Sequence, residues 1–424
     1  MLVPSLLLLA ILILIALGWV TWRFKTIWHP LLIPFGSLFV MVALAPLAQQ
    51  LVLGERIYPL HQAQAALLTC LYVVAFSIPF LINLDPVTPL IERALRPLEI
   101  PSRPELRGGY QFASLFLFAS GCLTFLLLIA NSPRGWDWIF NSRVAYQAGR
   151  AGVGHWYVLS QGCFLLAYLS WLWFCRVRNW FLFIPATLFM AGLFWFFGSK
   201  QGILGVLITA GLYSSFFIRP MSPRLILLAG ACLVPLVILS PWLQGNFRSL
   251  RETLGYYDYF DNSARYLQQH HRIGYQYGGA FVTSFWEYVP RGLYSGKPFI
   301  YGQLIVNDKL WPGVTEQGHT PALLPWVVFH LDFGTRGVFV GGLVSGFLLR
   351  GIYGCFLRTR SFPAFLLLLQ YCFIPVLKHT PLFFFLAALT AICLTFRLAD
   401  LVWTILWSRL AEKKQEAAVG AASC

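Results

Sequence analysis

Residues 110–130 read YQFASLFLFASGCLTFLLLIA, 21 residues without one charge. Wound as a helix, with its rise of ~1.5 Å per residue, such a run crosses the roughly 30 Å hydrocarbon core of a bilayer. Similar blocks lie at about 2–22, 31–53, 64–83, 156–174, 180–197, 202–218, 225–243, 335–354, 361–377 and 380–403. Together they predict about eleven transmembrane helices, within a range of ten to twelve. Composition agrees: 58% of the 424 residues are apolar and 11% charged, whereas soluble domains carry about 25% charge. A string of soluble domains is excluded. The expected fold is an all-α, polytopic integral membrane protein, with residues 1–424 as a single transmembrane domain. The first block has neither a charged n-region nor a small-residue cleavage site, so it is expected to persist as a helix rather than leave as a signal peptide.

Outward from 110–130, the connecting loops sort by charge. Arg23 and Lys25, then Arg93, Arg96, Arg103 and Arg107, then Arg176 and Arg178, then Arg219 and Arg224 fall in alternate loops. Arg350, Arg358 and Arg360, and finally Arg409, Lys413 and Lys414, continue the series. The positive-inside rule makes that side cytoplasmic. The Pro-rich stretch 84–108 then reads as a solvated cytoplasmic connector, and the Ala-rich tail after Leu410 is expected to fray.

Two larger loops face the other side, about 131–155 and about 244–335. They are basic as well, with Arg134, Arg143 and Arg150 in the first and Arg248, Arg251, Arg265, Arg272, Arg291, Lys297 and Lys309 in the second. Topology alone depletes Lys and Arg there, so a net +15 chain with cations on its outer face points to an anionic ligand. Pairing with Glu252, Asp258, Asp261, Glu287, Asp308 and Glu316 is the competing structural role for any single arginine. The long loop is crowded with aromatic residues, among them Tyr266, Tyr275, Tyr277, Trp286, Tyr288, Tyr294, Tyr301 and Trp311. Such rings suit both the membrane–water interface and stacking on sugars. Cations and aromatic rings beside a bilayer suggest a glycan carried on a lipid phosphate. Within this loop, 321–335 is apolar yet interrupted by Pro321, Pro325, His330 and Asp332, and reads as a short amphipathic or re-entrant helix.

The stretches FWEYVPRGLYSGKP (285–298) and HTPALLPWVVFHLDFGTRG (319–337) resemble the late periplasmic segment of Wzy-type O-antigen polymerases. That family shares a superfamily with the O-antigen ligases. Its members carry an Arg-x10-Gly pattern in each of two periplasmic loops; here Arg143 is followed by Gly154, and Arg291 by Gly302. About two such matches arise by chance from 24 Arg and 35 Gly in 424 residues, so placement in the two outer loops carries the likeness. His319, with the later G-x-x-G at Gly334 and Gly337, is similar to a superfamily pattern.

The resemblance implies a GT-C-like fold in the bacterial inner membrane. It also implies metal-independent glycosyl transfer at the periplasmic face, between undecaprenyl-pyrophosphate-linked oligosaccharides serving as donor and acceptor. The polymer formed would be O-antigen or a related surface polysaccharide, and a chain-length regulator is a conceivable partner. No metal, cofactor or nucleic acid is expected: there is no Cys/His ligand spacing, and no G-x-G-x-x-G or Walker sequence stands in a strand–helix setting.

Arginine suits a pyrophosphate leaving group because its planar fork binds phosphate oxygens and keeps its proton. Arg143 and Arg291 are therefore the expected clamps, and His319 the base or orienter of the acceptor hydroxyl. Arg150, Lys200, Lys297, Tyr294 and Tyr301 are expected near the substrate, as are Gly154 and Gly302. Lys200 could equally be an interface anchor, and Glu287 either an alternative base or a partner of Arg291. Arg336 would approach the diphosphate or pair with Asp332. Two other roles stay open: a ligase handing the glycan to lipid A–core, and a flippase for the lipid-linked oligosaccharide. A flippase predicts mid-membrane ionisable residues and internal repeats; the spans are nearly free of central charges and show no internal repeat.

Overall fold

The computed structural model of the chain describes residues 2–24, 29–44, 46–47, 50, 59–82, 86–99, 107–149, 152–198, 200–219, 259–289, 294–313, 323–373 and 379–422. Among these, every regular element is helical. In chain order the helices are α1 Leu2–Phe24, α2 Leu32–Leu38, α3 Pro59–Leu81, α4 Thr88–Leu95, α5 Arg107–Asn131, α6 Asp137–Phe140, α7 Ser142–Ala148 and α8 Gly154–Phe174. They continue as α9 Trp180–Trp195, α10 Lys200–Tyr213, α11 Tyr259–Ile273, α12 Gly279–Thr283, α13 Leu304–Leu310, α14 Val327–Thr359, α15 Phe362–Phe373 and α16 His379–Ala422.

Six described helices are long and apolar enough to cross a membrane: α1, α3, α5, α8, α14 and α16. Three shorter apolar helices cover Trp180–Trp195, Gly202–Ile218 and Phe362–Cys372. These nine fall on nine of the eleven expected spans. Of the other two, 31–53 is described chiefly as α2 followed by a π-helical turn at Phe39–Leu44, and 225–243 lies outside the described residues. Several hydroxyls inside the spans are satisfied on their own helix: Ser5, Thr69, Ser77, Ser114 and Thr124 each donate to a carbonyl three or four residues back. A polar side chain is tolerated in an apolar helix for that reason.

The chain divides into two units, one of residues 1–99 with 220–385, the other of 100–219 with 386–424. In the first unit, α3 and α14 pack closely along a seam where α14 presents glycines. A Cβ on Gly342 would lie 2.9 Å from the Tyr72 carbonyl oxygen, and one on Gly346 would overlap that of Phe76. Small residues four apart let two backbones approach where lipid gives no hydrophobic drive. The matching order, 72 with 342 and 76 with 346, means that the two helices run parallel. At the far end of the seam the Arg350 guanidinium donates to the carbonyls of Pro79 and Ile82. Those are C-terminal carbonyls of α3 that have no partner within the helix. In the second unit α5 packs on α8, where Ser160 donates to the Gly121 carbonyl at 2.9 Å. Tyr110, Phe174 and Phe396 form a ring cluster.

Two expectations are corrected. The connector 84–108 is not merely solvated, because it holds α4, whose Thr88 is fully buried and donates to the Gly351 carbonyl at 3.1 Å. Gly351 has no side chain, and a Cβ there would sit 2.7 Å from the Val87 Cγ1; the bare backbone gives this short helix a seat. Nor does the chain fray after Leu410: α16 continues to Ala422, carried by alanine, glutamate and lysine, which are strong helix formers.

Candidate functional site

In the second unit, the loop 131–155 folds into α6 and α7 clasped around one serine. Ser132 Oγ accepts from Trp138 Nε1 at 2.9 Å and donates to the Gly149 carbonyl at 3.1 Å. Trp138 is fully buried. Arg143 leaves this clasp with only 8% of its surface exposed. Its Nη1 donates to the Gly198 carbonyl at 3.1 Å, and its guanidinium carbon stands 5.2 Å from the centre of the Tyr146 ring. Two residues after Gly198, Lys200 opens the 14-residue helix α10. The guanidinium is thus held close in the chain to the N-terminus of α10, which carries a partial positive charge. Arg150 lies outside the described residues, as does the side chain of Lys200. Gly154 is the first residue of α8, with open space where a Cβ would point.

In the first unit, α14 is not one straight rod. Phe333 and Gly334 are non-helical, and Gly334 has φ +64° and ψ −153°, a conformation open essentially to glycine alone. Residues 327–333 fold back beside 335–341, so that a Cβ on Gly337 would overlap the Phe329 carbonyl and one on Gly341 the Phe329 ring. The G-x-x-G of 334–337 is thus a hinge glycine followed by a contact glycine. The folded-back segment is tied to its neighbours along its length. Leu324 N–H donates to Ser263 Oγ at 3.1 Å, and Trp326 Nε1 to Thr69 Oγ1 at 2.9 Å. Thr69 lies nine residues below Leu60, about 14 Å along α3, so Trp326 sits well inside the span.

Where the segment turns, Asp332 is almost fully buried, and its two oxygens accept from the N–H groups of Ala280 and Phe281 at 3.0 and 2.9 Å. The N–H groups of Gln276 and Tyr277 donate to the carbonyls of Leu331 and Asp332. Asp332 is therefore committed to α12 and not to Arg336, which is exposed two residues beyond the hinge. His330 Nδ1 stands 2.9 Å from Tyr266 Oη, and its ring meets that of His270 at 4.9 Å, which in turn meets Tyr275 at 4.7 Å. Burial, and then the neighbouring His271, hold the His270 imidazole below its ordinary pKa. Burial, followed by Tyr275 and Asp332, pushes the Tyr266 phenol up. Sequence reading marks Tyr266 and Tyr275 as loop aromatics and His330 as an interruption of an apolar run, itself a signal, but misses His270 and the convergence of the four rings. The i, i+4 spacing of Tyr266 and His270 on an amphipathic helix is a second one.

Arg291 and His319 lie outside the described residues. Glu287 is exposed on a 3₁₀ turn. Trp286 and Tyr294 stack nearly parallel, with centres 5.5 Å apart, and the Lys297 ammonium lies 4.9 Å from the centre of the Tyr301 ring. Gly302 adopts φ +54° and packs against Ser284, with its N–H donating to Thr283 Oγ1 at 3.0 Å. The structure thus gathers Tyr294, Lys297, Tyr301 and Gly302 in one stretch, while Arg143 and Gly154 belong to the other unit. Among the described residues, no group of three His, Cys, Asp or Glu side chains converges to hold a metal ion.

Fold and sites together define a class: an all-α membrane protein with several spans. Compared with known protein families, with curated proteins and with solved structures, the chain matches none.

Proposed function

We propose that this chain polymerises lipid-linked oligosaccharide repeat units at the outer face of the bacterial inner membrane. The acceptor's non-reducing-end hydroxyl attacks the anomeric carbon of the donor glycan. The bond from that carbon to the undecaprenyl pyrophosphate breaks as the new glycosidic bond forms, and the hydroxyl proton passes to a base. Arg143 and Arg291 are the cations assigned to the pyrophosphates of the lipid-linked substrates, where fixed positive charge offsets the charge developing on a leaving group at no reorganisation cost. His319 receives the proton. Glycosyl transfer of this kind needs no metal, since the arginines supply the positive charge.

The observation that best supports this reading is the pairing of VPRGLYSGKP with HTPALLPWVVFHLDFGTRG in one outer segment. The hinge at Gly334 folds part of that second stretch, residues 327–333, back beside 335–341 in the depth of the span. Arg143 adds a cation already held in place by Gly198 and Tyr146, as a clamp for a phosphate should be.

The test is glycan chain length in cells carrying Arg143→Ala, Arg291→Ala or His319→Ala. Loss of long chains, with one repeat still attached to core, is the expected result. Loss of every capped core would make the protein a ligase. Unchanged ladders from all three variants, at normal protein levels, would remove the site assignment.

A further inference from the structure

At the hinge of α14, apolar side chains face outward on both sides of the exposed Thr335 and Arg336. Phe333 is 56% exposed, and below it Phe339 and Val340 of the same helix are 38% and 55% exposed, a face suited to lipid. Above it the contact continues into the loop, since a Cβ on Gly278 would lie 3.5 Å from the Phe333 Cζ. Val282, whose N–H donates to the Gly278 carbonyl, is 61% exposed, and Phe285, one turn on, 42%. Phe299 and Ile300, at 61% and 44%, come from the stretch that Gly302 packs onto Ser284.

Position decides what covers this patch. The bonds from Gln276, Tyr277, Ala280 and Phe281 to Leu331 and Asp332 fix the loop at the end of α14 where the chain enters the span. By the register of the seam, that end is also where α3 begins. This is the depth at which a bilayer gives way to water, where apolar and aromatic side chains are favoured. The chemistry separates lipid from sugar. A glycan surface needs rings with polar handles and hydrogen-bonding groups beside them, whereas valine, isoleucine and three phenylalanines offer a sugar nothing to bond. Lys297, over Tyr301 on the same stretch, adds a cation that an anionic headgroup would attract.

We propose that the surface formed by Val282, Phe285, Phe299, Ile300 and Phe333 is seated in the headgroup layer of the bilayer, so that residues 277–289 and 294–300 lie on the membrane rather than in water. The loop is then an interfacial anchor contributing to the hold on the hinge. This does not depend on the reaction proposed above.

The test places an environment-sensitive fluorescent amino acid at position 282, and separately at 300, in the full chain. The protein is reconstituted in vesicles of phosphatidylethanolamine and phosphatidylglycerol. Both positions are exposed, so a larger side chain is accommodated, and each serves as the check on the other. A side chain seated about 5–10 Å into the headgroup–acyl boundary should lose about half its emission or more when the lipids are brominated high on the acyl chain. It should also be shielded from iodide. Free quenching by iodide with no effect of brominated lipid, at both positions, would overturn the proposal. Quenching by iodide that a soluble oligosaccharide prevents would overturn it too, and would make the patch a glycan surface.

Discussion

Gly154 and Gly302 each stand eleven positions beyond an arginine, and their surroundings differ. Gly154 opens a helix with nothing near its missing side chain, while Gly302 holds a left-handed backbone pressed against Ser284. The contrast extends to the stretches around them. The stretch around Arg143 in the second unit is held by side chains: Trp138 on Ser132, Arg143 on Gly198, Tyr146 and Trp138 against Tyr157. The stretch in the first unit adds backbone devices, the Gly334 hinge, the Gly302 turn and the N–H groups of Gln276 and Tyr277 on the carbonyls of Leu331 and Asp332, to the Asp332 carboxylate, which accepts from Ala280 and Phe281. Equal spacing in a sequence therefore says little about equal duty in a fold. A stretch held by side chains should fail when side chains are cut back, and one held by backbone when Cβ atoms are added.

Four substitutions and a titration test that division, from the largest effect down. Trp138→Ala empties a fully buried site and should cost about 3–5 kcal/mol, read by thermal unfolding of the purified chain in detergent. A melting point close to wild type would mean that the clasp does not hold the first stretch. Gly334→Ala forces an L side chain into a glycine-only conformation and against Tyr275, 3.0 Å from where its Cβ would stand. It should cost about 2–3 kcal/mol and expose the Trp326 region to limited proteolysis. Full tolerance of this change would contradict the hinge. Gly302→Ala should cost about 1 kcal/mol, while Gly154→Ala should change stability by no more than about 0.5 kcal/mol in either direction. Equal losses from the pair would erase the contrast.

The titration concerns His270. Its pKa is lowered in the folded chain, so the unfolded chain takes the proton first as pH falls. The stability linked to it is complete above about pH 6.5 and drains as pH drops from there towards the lowered value. Melting points measured across that window should decline less steeply in His270→Gln than in wild type. An unchanged slope would place the acid sensitivity elsewhere.

Much of the architecture is legible in the residues, because bilayer thickness imposes a length that apolar blocks must meet. The blocks 110–130, 156–174 and 64–83 recur as α5, α8 and α3, displaced by only a few positions. What the sequence conceals depends on contact rather than composition. Nothing in residues 84–108 announces that Thr88 will bond to Gly351, 263 positions away. Likewise, Gly334 and Gly337 stand out as a pattern, but that one bends the chain and the other admits Phe329 requires the fold. His330 and Asp332 are visible as polar interruptions at 330 and 332, yet their partners Tyr266, Ala280 and Phe281 come from a separate stretch. Of the candidate site, the sequence nominates Arg143 as a cation; its burial and its bond to Gly198 follow only from packing.

The most direct test of the proposed activity uses the purified full-length chain with an undecaprenyl-pyrophosphate-linked repeat unit as both donor and acceptor, in the presence of a chelator and without nucleotide. The account predicts a ladder of lipid-linked products, each longer by one repeat, that disappears in Arg143→Ala. A folded protein that leaves the repeat unit unextended, or that transfers it only when lipid A–core is supplied, would contradict it.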